Sequence, residues 1–271
     1  MMYKRRLVLF MSSMMIVFFT ASCDKKEGCT DKTALNYDAD AEVDCCCEYA
    51  PVIYADSTAY KLHMHQYVGD LVFTPGNTYS IGGVLTQLDI ARFYVSNIRL
   101  VDADGNEMPF YKVYLLADAG FEEYDLGSNV TGNFTKIRFD IGVDAGANHT
   151  DPGDYPSSHP LSYQSPAMNW GWSFGYIFML IHGEVDTDAD GSTDASLINH
   201  LGTDELLRTV EVEYPLTSTK EAEATIHLNV DWALLYQGIN LALDYKTEVT
   251  DEPELAEALM NNAPGMFSIE E

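Results

Sequence analysis

The sequence predicts an all-β protein, an antiparallel β-sandwich with a few short helices. From residue 59 onward, apolar and polar residues alternate with a period of two, which is typical of strands with one buried face. Turn-forming residues separate these runs, and no alternation of strand and helix patterns follows, which favours two packed antiparallel sheets over a βαβ fold. With 271 residues, 46% of them hydrophobic, the chain can bury a sizeable core.

The individual elements follow from the same patterns. Strands are predicted at residues 60–67, 89–101, 110–116, 134–143, 176–185, 209–214 and 224–230. Helical signals are limited to a turn or two at 232–236 and a short helix at 253–261 with a proline near its start. Residues 144–169 form a long connection rich in Pro, Gly, Ser and His, and such loops in compact domains are usually functional or mobile.

The amino terminus has the features of an export signal. Three basic residues precede an apolar run at 7–19, and small residues lead to Cys23. The run is short for a membrane span. Because Cys23 resembles the modified cysteine of a bacterial lipobox, we expect residues 1–22 to be a lipoprotein signal peptide and Cys23 to carry the lipid. The predicted location is the cell envelope, as an outer-membrane lipoprotein that faces the periplasm or the cell surface; cleavage to a fully secreted protein is the alternative.

The charge balance limits the partners. Lys and Arg number 15 and Asp and Glu 42, a formal charge of −27. Nucleic-acid binding depends on Lys and Arg, so no nucleic-acid partner is expected. The same charge opposes docking of the folded domain on an anionic lipid surface, so the predicted membrane contact is the lipid anchor alone.

The remaining cysteines lie close together in an acidic segment at residues 28–49. They are Cys29, Cys45, Cys46 and Cys47, and four clustered cysteines in an exported chain indicate a disulfide-stapled module. The segment resembles a short acidic Cys-Thr-Asp repeat of Bacteroidetes-type exported proteins, and that resemblance implies a Cys29–Cys47 disulfide. The state of Cys45 and Cys46 stays open, and a thiolate metal site is the alternative. The predicted organisation is a tether with this module at 23–58, a sandwich at 59–250 and a helical tail at 251–271.

The stretch at 159–183 is the most informative part of the chain. Trp170 and Trp172 are two residues apart, so on an extended chain both side chains point the same way, and Gly171 between them allows a close approach. Taken alone, the two rings fit core positions of a sandwich strand.

Several motifs together resemble the MbnP-like copper-binding family. In the stretch above these are His-Pro-Leu, Met-x-Trp-x-Trp and Gly-Tyr-x-Phe. The other matches are His65-Gln66-Tyr67-Val68-Gly69, the Tyr-x-Ser-Asn-Ile-x-Leu pattern at 94–100, Ile141-Gly142-Val143-Asp144 and His200-Leu201-Gly202. The resemblance covers residues 60–235, and His182-Gly183 stands where the family more often has Glu-Gly.

The resemblance implies an extracytoplasmic protein that binds one copper ion, expected as Cu(I), in copper acquisition and homeostasis, and that is not an enzyme. His65 and His200 match the family as first candidate ligands, with His159 next. Trp170 matches the tryptophan that a di-haem cytochrome c peroxidase-like (MbnH-like) partner oxidises to kynurenine. Three residues are expected to support the pocket rather than to bind directly: Trp172, Met168 and His63.

An acidic loop suggests a second ion and a rival function. Asp186, Asp188 and Asp190 alternate before a glycine, as at the start of a calcium loop, and Asp194 follows, but Leu197 stands where an EF-hand has its last glutamate. A weak Ca²⁺ site is therefore expected. The alternative function is a calcium-braced adhesion or glycan-binding sandwich, with Trp170, Trp172 and Tyr176 as a stacking platform.

Overall fold

The computed structural model describes residues 25–30, 36–41, 43–44, 56–171, 174–220, 222–248 and 251–270. The chain divides into two compact units, Met1–Ile53 and Tyr54–Glu271. The signal segment, Cys23, Cys45, Cys46, Cys47 and Trp172 lie outside the described residues. Within the described ranges, no helix has the length and apolar character needed to cross a membrane.

The first unit contains two short parallel strands, β1 (Glu27–Gly28) and β2 (Val43–Asp44). Cys29 is buried and disulfide-bonded. Lys26 Nζ and Asp38 Oδ2 form an ion pair at 2.7 Å. The disulfide agrees with a stapled module, while the predicted partner Cys47 belongs to the residues left undescribed.

The second unit is built from two sheets. The larger sheet has nine strands: β5 (Asn77–Ile81), β6 (Val84–Val101), β7 (Glu107–Pro109), β8 (Leu115–Asp118), β10 (Asn133–Ile141), β11 (Ile177–Val185), β12 (Ala195–Gly202), β13 (Arg208–Thr217) and β15 (Lys246–Glu248). Its main path runs β13-β10-β6-β11-β12-β15, and β5, β7 and β8 also pair with β6.

The smaller sheet has five strands: β3 (Ser57–Val68), β4 (Leu71–Val72), β9 (Glu123–Val130), β14 (Ala224–Asp231) and β16 (Phe267–Ile269). Its path is β16-β14-β3-β4, with β9 also paired to β3. The described part of the unit also contains three α-helices, α1 (Ala145–Asn148), α2 (Trp232–Leu235) and α3 (Pro253–Asn262). Short 3-10 helices lie at Pro152–Asp154, Asp204–Leu206 and Ala263–Met266.

The main core lies between the two sheets. Alternate residues of each strand point into it, for example Leu62 and Met64 of β3 and Leu197 and Leu201 of β12, all fully buried. Because side chains alternate across a strand, the residues between them point to the outer faces of the sandwich. The core positions therefore determine which way the histidines of β3 and β12 point.

A second hydrophobic cluster covers part of the outer face of the nine-stranded sheet. Tyr94, Phe178 and Leu180 of the sheet pack with Leu161 and Met168 of the long connection that follows β10. The long connection predicted at residues 144–169 therefore packs on the outer face of the sheet, and we call it the cover after β10. It brings the Trp170 region against β11 and β12.

The predicted all-β sandwich is confirmed, with three corrections. Two pairings are parallel, β3 with β14 and β12 with β15, where antiparallel pairing was expected throughout. The strand predicted at 110–116 begins only at Leu115. The tail predicted at 251–271 contains α3 but is not separate from the sandwich, since Phe267 lies in the core and β16 pairs with β14.

Candidate metal centres

Two histidines meet on the outer face of the nine-stranded sheet. In the β11–β12 pair, His200 lies opposite Leu180 and His182 lies opposite Ile198, so the two histidines are diagonal neighbours on one face. Their ring centroids are 4.9 Å apart, and the two Nε2 atoms are 2.7 Å apart. At this distance one nitrogen donates a hydrogen bond through its N–H and the other accepts it with its lone pair, so the two ring nitrogens point towards each other.

The surroundings keep both rings neutral. Burial lowers the pKa of His200, and the neighbouring His182 lowers it further, whereas Glu248 acts in the opposite direction. Burial also lowers the pKa of His182. Glu248 Oε2 is 3.7 Å from His200 Nδ1, beyond hydrogen-bond length. Near neutral pH the pair therefore offers unprotonated nitrogens, the form that binds a metal.

Trp170 packs on β12 at Gly202 because Gly202 has no side chain. A Cβ on Gly202 would lie 2.7 Å from Cζ3 of Trp170 and 2.5 Å from the carbonyl oxygen of Tyr176. Gly202 lies two residues after His200 on β12, so the indole rests on the same strand face as that histidine. The indole also packs against the second hydrophobic cluster, which contains Met168.

The donor set of the pair fits a soft ion of low coordination number. Imidazole nitrogen is a common copper ligand, and Cu(I) accepts few ligands. With metal–nitrogen bonds of about 2.0–2.1 Å, the two nitrogens would have to part to roughly 3–4 Å to share an ion. The observed separation of 2.7 Å is that of a shared proton.

Three other histidines meet on the outer face of the five-stranded sheet. In the parallel β3–β14 pair, His227 lies directly opposite His63, and His65 follows two residues along β3. The ring centroids are 4.2 Å apart for His63 and His65, 5.1 Å for His63 and His227, and 6.1 Å for His65 and His227. One nitrogen from each ring lies within 4.8 Å of the others. We call these three residues the histidine triad.

Comparison with known proteins gives one family and one solved structure. The MbnP family model matches residues 57–252. This chain belongs to the MbnP family. The solved structure is MbnP from Methylosinus trichosporium, 17% identical, with a TM-score of 0.49, covering 67% of this chain and 78% of that one. No curated protein matches.

The predicted joint site of His65 and His200 is wrong for this MbnP-family chain. Met64 and Leu201, the neighbours of the two histidines, both point into the core, from different sheets. His65 and His200 therefore point away from each other on opposite outer faces of the sandwich. Trp170 lies with His200 and away from His65, and His63 belongs to the triad rather than to the surroundings of Trp170.

His159 lies apart from both histidine groups. It stacks on Tyr155 with ring centroids 4.5 Å apart, and its Nδ1 accepts a hydrogen bond from the Leu161 amide. It borders a surface pocket together with Leu115 and Leu116 of β8. Two strands, β6 and β11, lie between β8 and β12, the strand that carries His200. The ring contacts of His159 are with Tyr114 and Tyr155, and neither is a residue of the two histidine groups.

The acidic loop forms a compact group of carboxylates. One oxygen each from Asp186, Asp188 and Asp190 lies within 4.8 Å of the others. Asp186 is buried, and its Oδ1 has no hydrogen-bond partner. Asp194 does not belong to this group of carboxylates. It accepts hydrogen bonds from the backbone amide and the hydroxyl of Thr187, which lower its pKa and join the two ends of the loop.

Tyr176 cannot belong to the stacking platform of the alternative function. Tyr176 is completely buried, and its hydroxyl donates to the carbonyl oxygen of Leu161. A ring in this position cannot stack on an external sugar. Trp172 is outside the described residues, so of the three predicted rings only Trp170 is partly exposed in the described part of the chain.

Two histidines were missed as site residues. His182 occupies the position where the family more often has Glu, and that departure was its only signal. His227 lies on a strand that was predicted correctly. The sequence pattern did not show which strand pairs with it, so its proximity to His63 could not be predicted. The parallel register of β14 with β3 brings it to His63.

Proposed function

We propose that this protein binds one copper ion as Cu(I) outside the cytoplasm, at the His182–His200 pair beside Trp170. The observation that carries the proposal is the 2.7 Å approach of two imidazole nitrogens next to an indole that rests on Gly202. Membership of the MbnP family supports a copper-related role in acquisition and homeostasis. The proposed role is binding and delivery, without turnover of a substrate.

The ion is proposed as Cu(I) because of the charge of the ligands. Both rings are neutral, since burial lowers the pKa of each histidine. The side chain of His200 is only 17% exposed. A partly desolvated pair of neutral donors stabilises a monovalent ion with less desolvation cost than a divalent one. The proposed site binds copper and passes it on by ligand exchange, and the ion catalyses no reaction there.

Trp170 is the residue proposed to become kynurenine. Opening of the C2–C3 bond of the indole adds two oxygen atoms, and hydrolysis then removes C2 as formate. The product has an aniline nitrogen and a ketone oxygen, both electron-pair donors, where the indole had only an N–H donor. The proposed partner is a di-haem cytochrome c peroxidase-like (MbnH-like) protein, with peroxide as the oxidant that supplies the oxygen atoms and leaves as water.

Export as a lipoprotein is part of the proposal. Disulfides persist in oxidising compartments outside the cytoplasm, and Cys29 is disulfide-bonded. The amino-terminal signal pattern and Cys23 support an anchor in the outer membrane. Metabolic labelling with a fatty acid tests the anchor: Cys23→Ala should abolish incorporation, and retained label would contradict it.

Copper titration tests the ligand assignment. We expect one equivalent of Cu(I) in competition with a chromophoric chelator, and at least a tenfold weaker affinity in His182→Ala and His200→Ala. His65→Ala is the matched control, since it removes a partly buried histidine, 24% exposed, from the opposite face. Unchanged affinity in both pair variants, or a loss confined to His65→Ala, would refute the pair as the copper site.

Intact-mass analysis tests the modification. Protein produced with its di-haem partner should gain one oxygen and lose one carbon at Trp170, and Trp170→Phe should not change in mass. Protein produced without the partner is the control. A modification at another residue, or an unmodified Trp170 in the presence of the active partner, would contradict the assignment.

We also propose a weak structural Ca²⁺ site at the acidic loop. The buried Oδ1 of Asp186 lacks a hydrogen bond, which is costly for a carboxylate oxygen. Carboxylate oxygens are the ligands Ca²⁺ prefers, and Asp188 and Asp190 supply two more within reach. This site would brace the β11–β12 turn without giving the protein a glycan-binding function.

A further inference from the structure

The histidine triad lies on the face of the sandwich opposite to Trp170 and takes no part in the proposed copper pair. We propose that His63, His65 and His227 form a separate site for a divalent transition metal of the Zn²⁺ class. The proposal does not depend on copper binding, because no residue is shared between the two groups.

The strand pairing holds the three rings in place. Leu62, Met64, Ile226 and Leu228 are all fully buried, so the rigid core fixes the backbone on both sides of each histidine. The parallel register sets His227 directly opposite His63. Three imidazoles on rigid strands, with nitrogens within 4.8 Å, match the three-histidine ligand sets of zinc sites, in which the fourth position is open.

Two carboxylates bracket the triad from different segments. Glu122 Oε2 lies 3.3 Å from Nε2 of His63 and 4.0 Å from Nδ1 of His65. Glu270 Oε2 lies 3.2 Å from Nε2 of His65 and 3.1 Å from Nδ1 of His227. Metal-bound histidines usually hydrogen-bond a carboxylate through the second ring nitrogen, so these glutamates can orient the rings or fill the open position.

Both glutamates are themselves tied to the triad strands. The Met64 amide donates to the carbonyl oxygen of Glu122 at 2.9 Å. The Glu270 amide donates to the carbonyl oxygen of His227 at 3.4 Å. The carboxylates are thus placed by the backbone, which distinguishes the group from an accidental surface cluster.

The charge of the group selects a divalent ion. Two carboxylates close to three imidazoles compensate a +2 charge, which two neutral imidazoles alone do not. Imidazole and carboxylate oxygen are ligands for Zn²⁺ and for neighbouring divalent metals, and the group has no soft sulfur donor among the described residues. Nδ1 of His227 is buried, and its 3.1 Å contact with Glu270 Oε2 does not have hydrogen-bond geometry.

Zn²⁺ binding by the purified, metal-free protein tests the proposal. We expect one equivalent of Zn²⁺ at the triad, in competition with a chromophoric chelator, and imidazole scattering in the zinc X-ray absorption spectrum. Loss of a bracketing carboxylate in Glu122→Gln or Glu270→Gln should weaken affinity about 10–100-fold. His63→Ala and His227→Ala, which remove direct ligands, should weaken it by at least as much.

Two controls make the result decisive. His182→Ala removes a histidine from the copper pair and should leave Zn²⁺ affinity within twofold, while His227→Ala should leave Cu(I) affinity within twofold. Far-ultraviolet circular dichroism verifies that each variant is folded. If His227→Ala does not fold, the more conservative His227→Gln takes its place. Zn²⁺ affinity that is unchanged in the triad variants, or that is lost in His182→Ala, would overturn the proposal, as would the absence of zinc–imidazole scattering in the wild type.

Discussion

Replacing Gly202 by alanine tests the packing on which the proposed copper site depends. The added Cβ would meet the Tyr176 carbonyl oxygen at 2.5 Å and Trp170 Cζ3 at 2.7 Å. Ordinary contacts begin at 3.4 Å, so the backbone oxygen would have to retreat by about 0.9 Å and the indole by about 0.7 Å. Neither atom is the end of a flexible side chain, because one is main chain and the other belongs to a packed ring.

The expected cost follows from the overpacking of a rigid site. Such substitutions destabilise by about 1–3 kcal/mol. For a domain of this size each kcal/mol lowers the melting temperature by about 2–4 °C, so Gly202→Ala should melt about 2–12 °C below the wild type. Displacement of the indole should also weaken Cu(I) binding, with the two histidines still present.

Differential scanning calorimetry and the copper titration measure the two effects. Gly120→Ala is the matched control, since a Cβ there meets nothing within 4 Å and the backbone is not left-handed. It should change neither the melting temperature by more than about 2 °C nor the copper affinity. A Gly202→Ala protein that melts with the wild type would refute the close approach of Trp170 to β12.

Three further outcomes are expected. Burial lowers the pKa values of His182 and His200, so as the pH falls below about 6.5 the unfolded chain takes up protons before the folded protein does. The free energy of unfolding should therefore decrease there, and the urea midpoint with it. In His182→Gln this decrease should be less steep. Trp232→Ala removes a fully buried indole and should cost about 3–5 kcal/mol in urea unfolding, a loss below 1 kcal/mol being contrary to its core position. Millimolar Ca²⁺ should raise the melting temperature of the wild type and of Asp104→Asn, an exposed-turn control, but not of Asp186→Asn; equal shifts in all three would exclude the loop.

Alternation of apolar and polar residues identified strands whose buried positions are apolar without interruption. The strands at residues 60–67 and 224–230 were therefore predicted within three residues at each end. The strands Glu123–Val130 and Ala195–Gly202 were missed because Gly, Asn, Asp and Ser interrupt their patterns. There the pairing with neighbouring strands outweighs the weak local preference, and His200 is a paired strand residue in a segment where no strand was predicted.

The site was harder to predict because the order of motifs along the chain does not show which sheet each motif joins. His65 and His200 lie in two matched motifs, yet the chain places them in different layers. His63 and His227 are 164 residues apart in sequence and directly opposite in space, through a parallel pairing that no local pattern indicates. Trp170, by contrast, packs on Gly202, two residues from His200, because the cover after β10 returns to the sheet there.

The two histidine groups differ in how close their carboxylates lie to the ring nitrogens. At the His182–His200 pair the nearest carboxylate, Glu248, stays 3.7 Å from a ring nitrogen, and burial keeps both rings uncharged. The charge of an ion bound there is not compensated by a nearby carboxylate. The free-energy cost of removing that charge from water is smaller for a monovalent ion than for a divalent one. At the triad, Glu122 and Glu270 lie within 3.3 Å of ring nitrogens, so a divalent charge is compensated where it binds. Under the two proposals, the placement of carboxylates is what would direct a monovalent ion to the pair and a divalent ion to the triad, although imidazole is the nitrogen ligand at both sites.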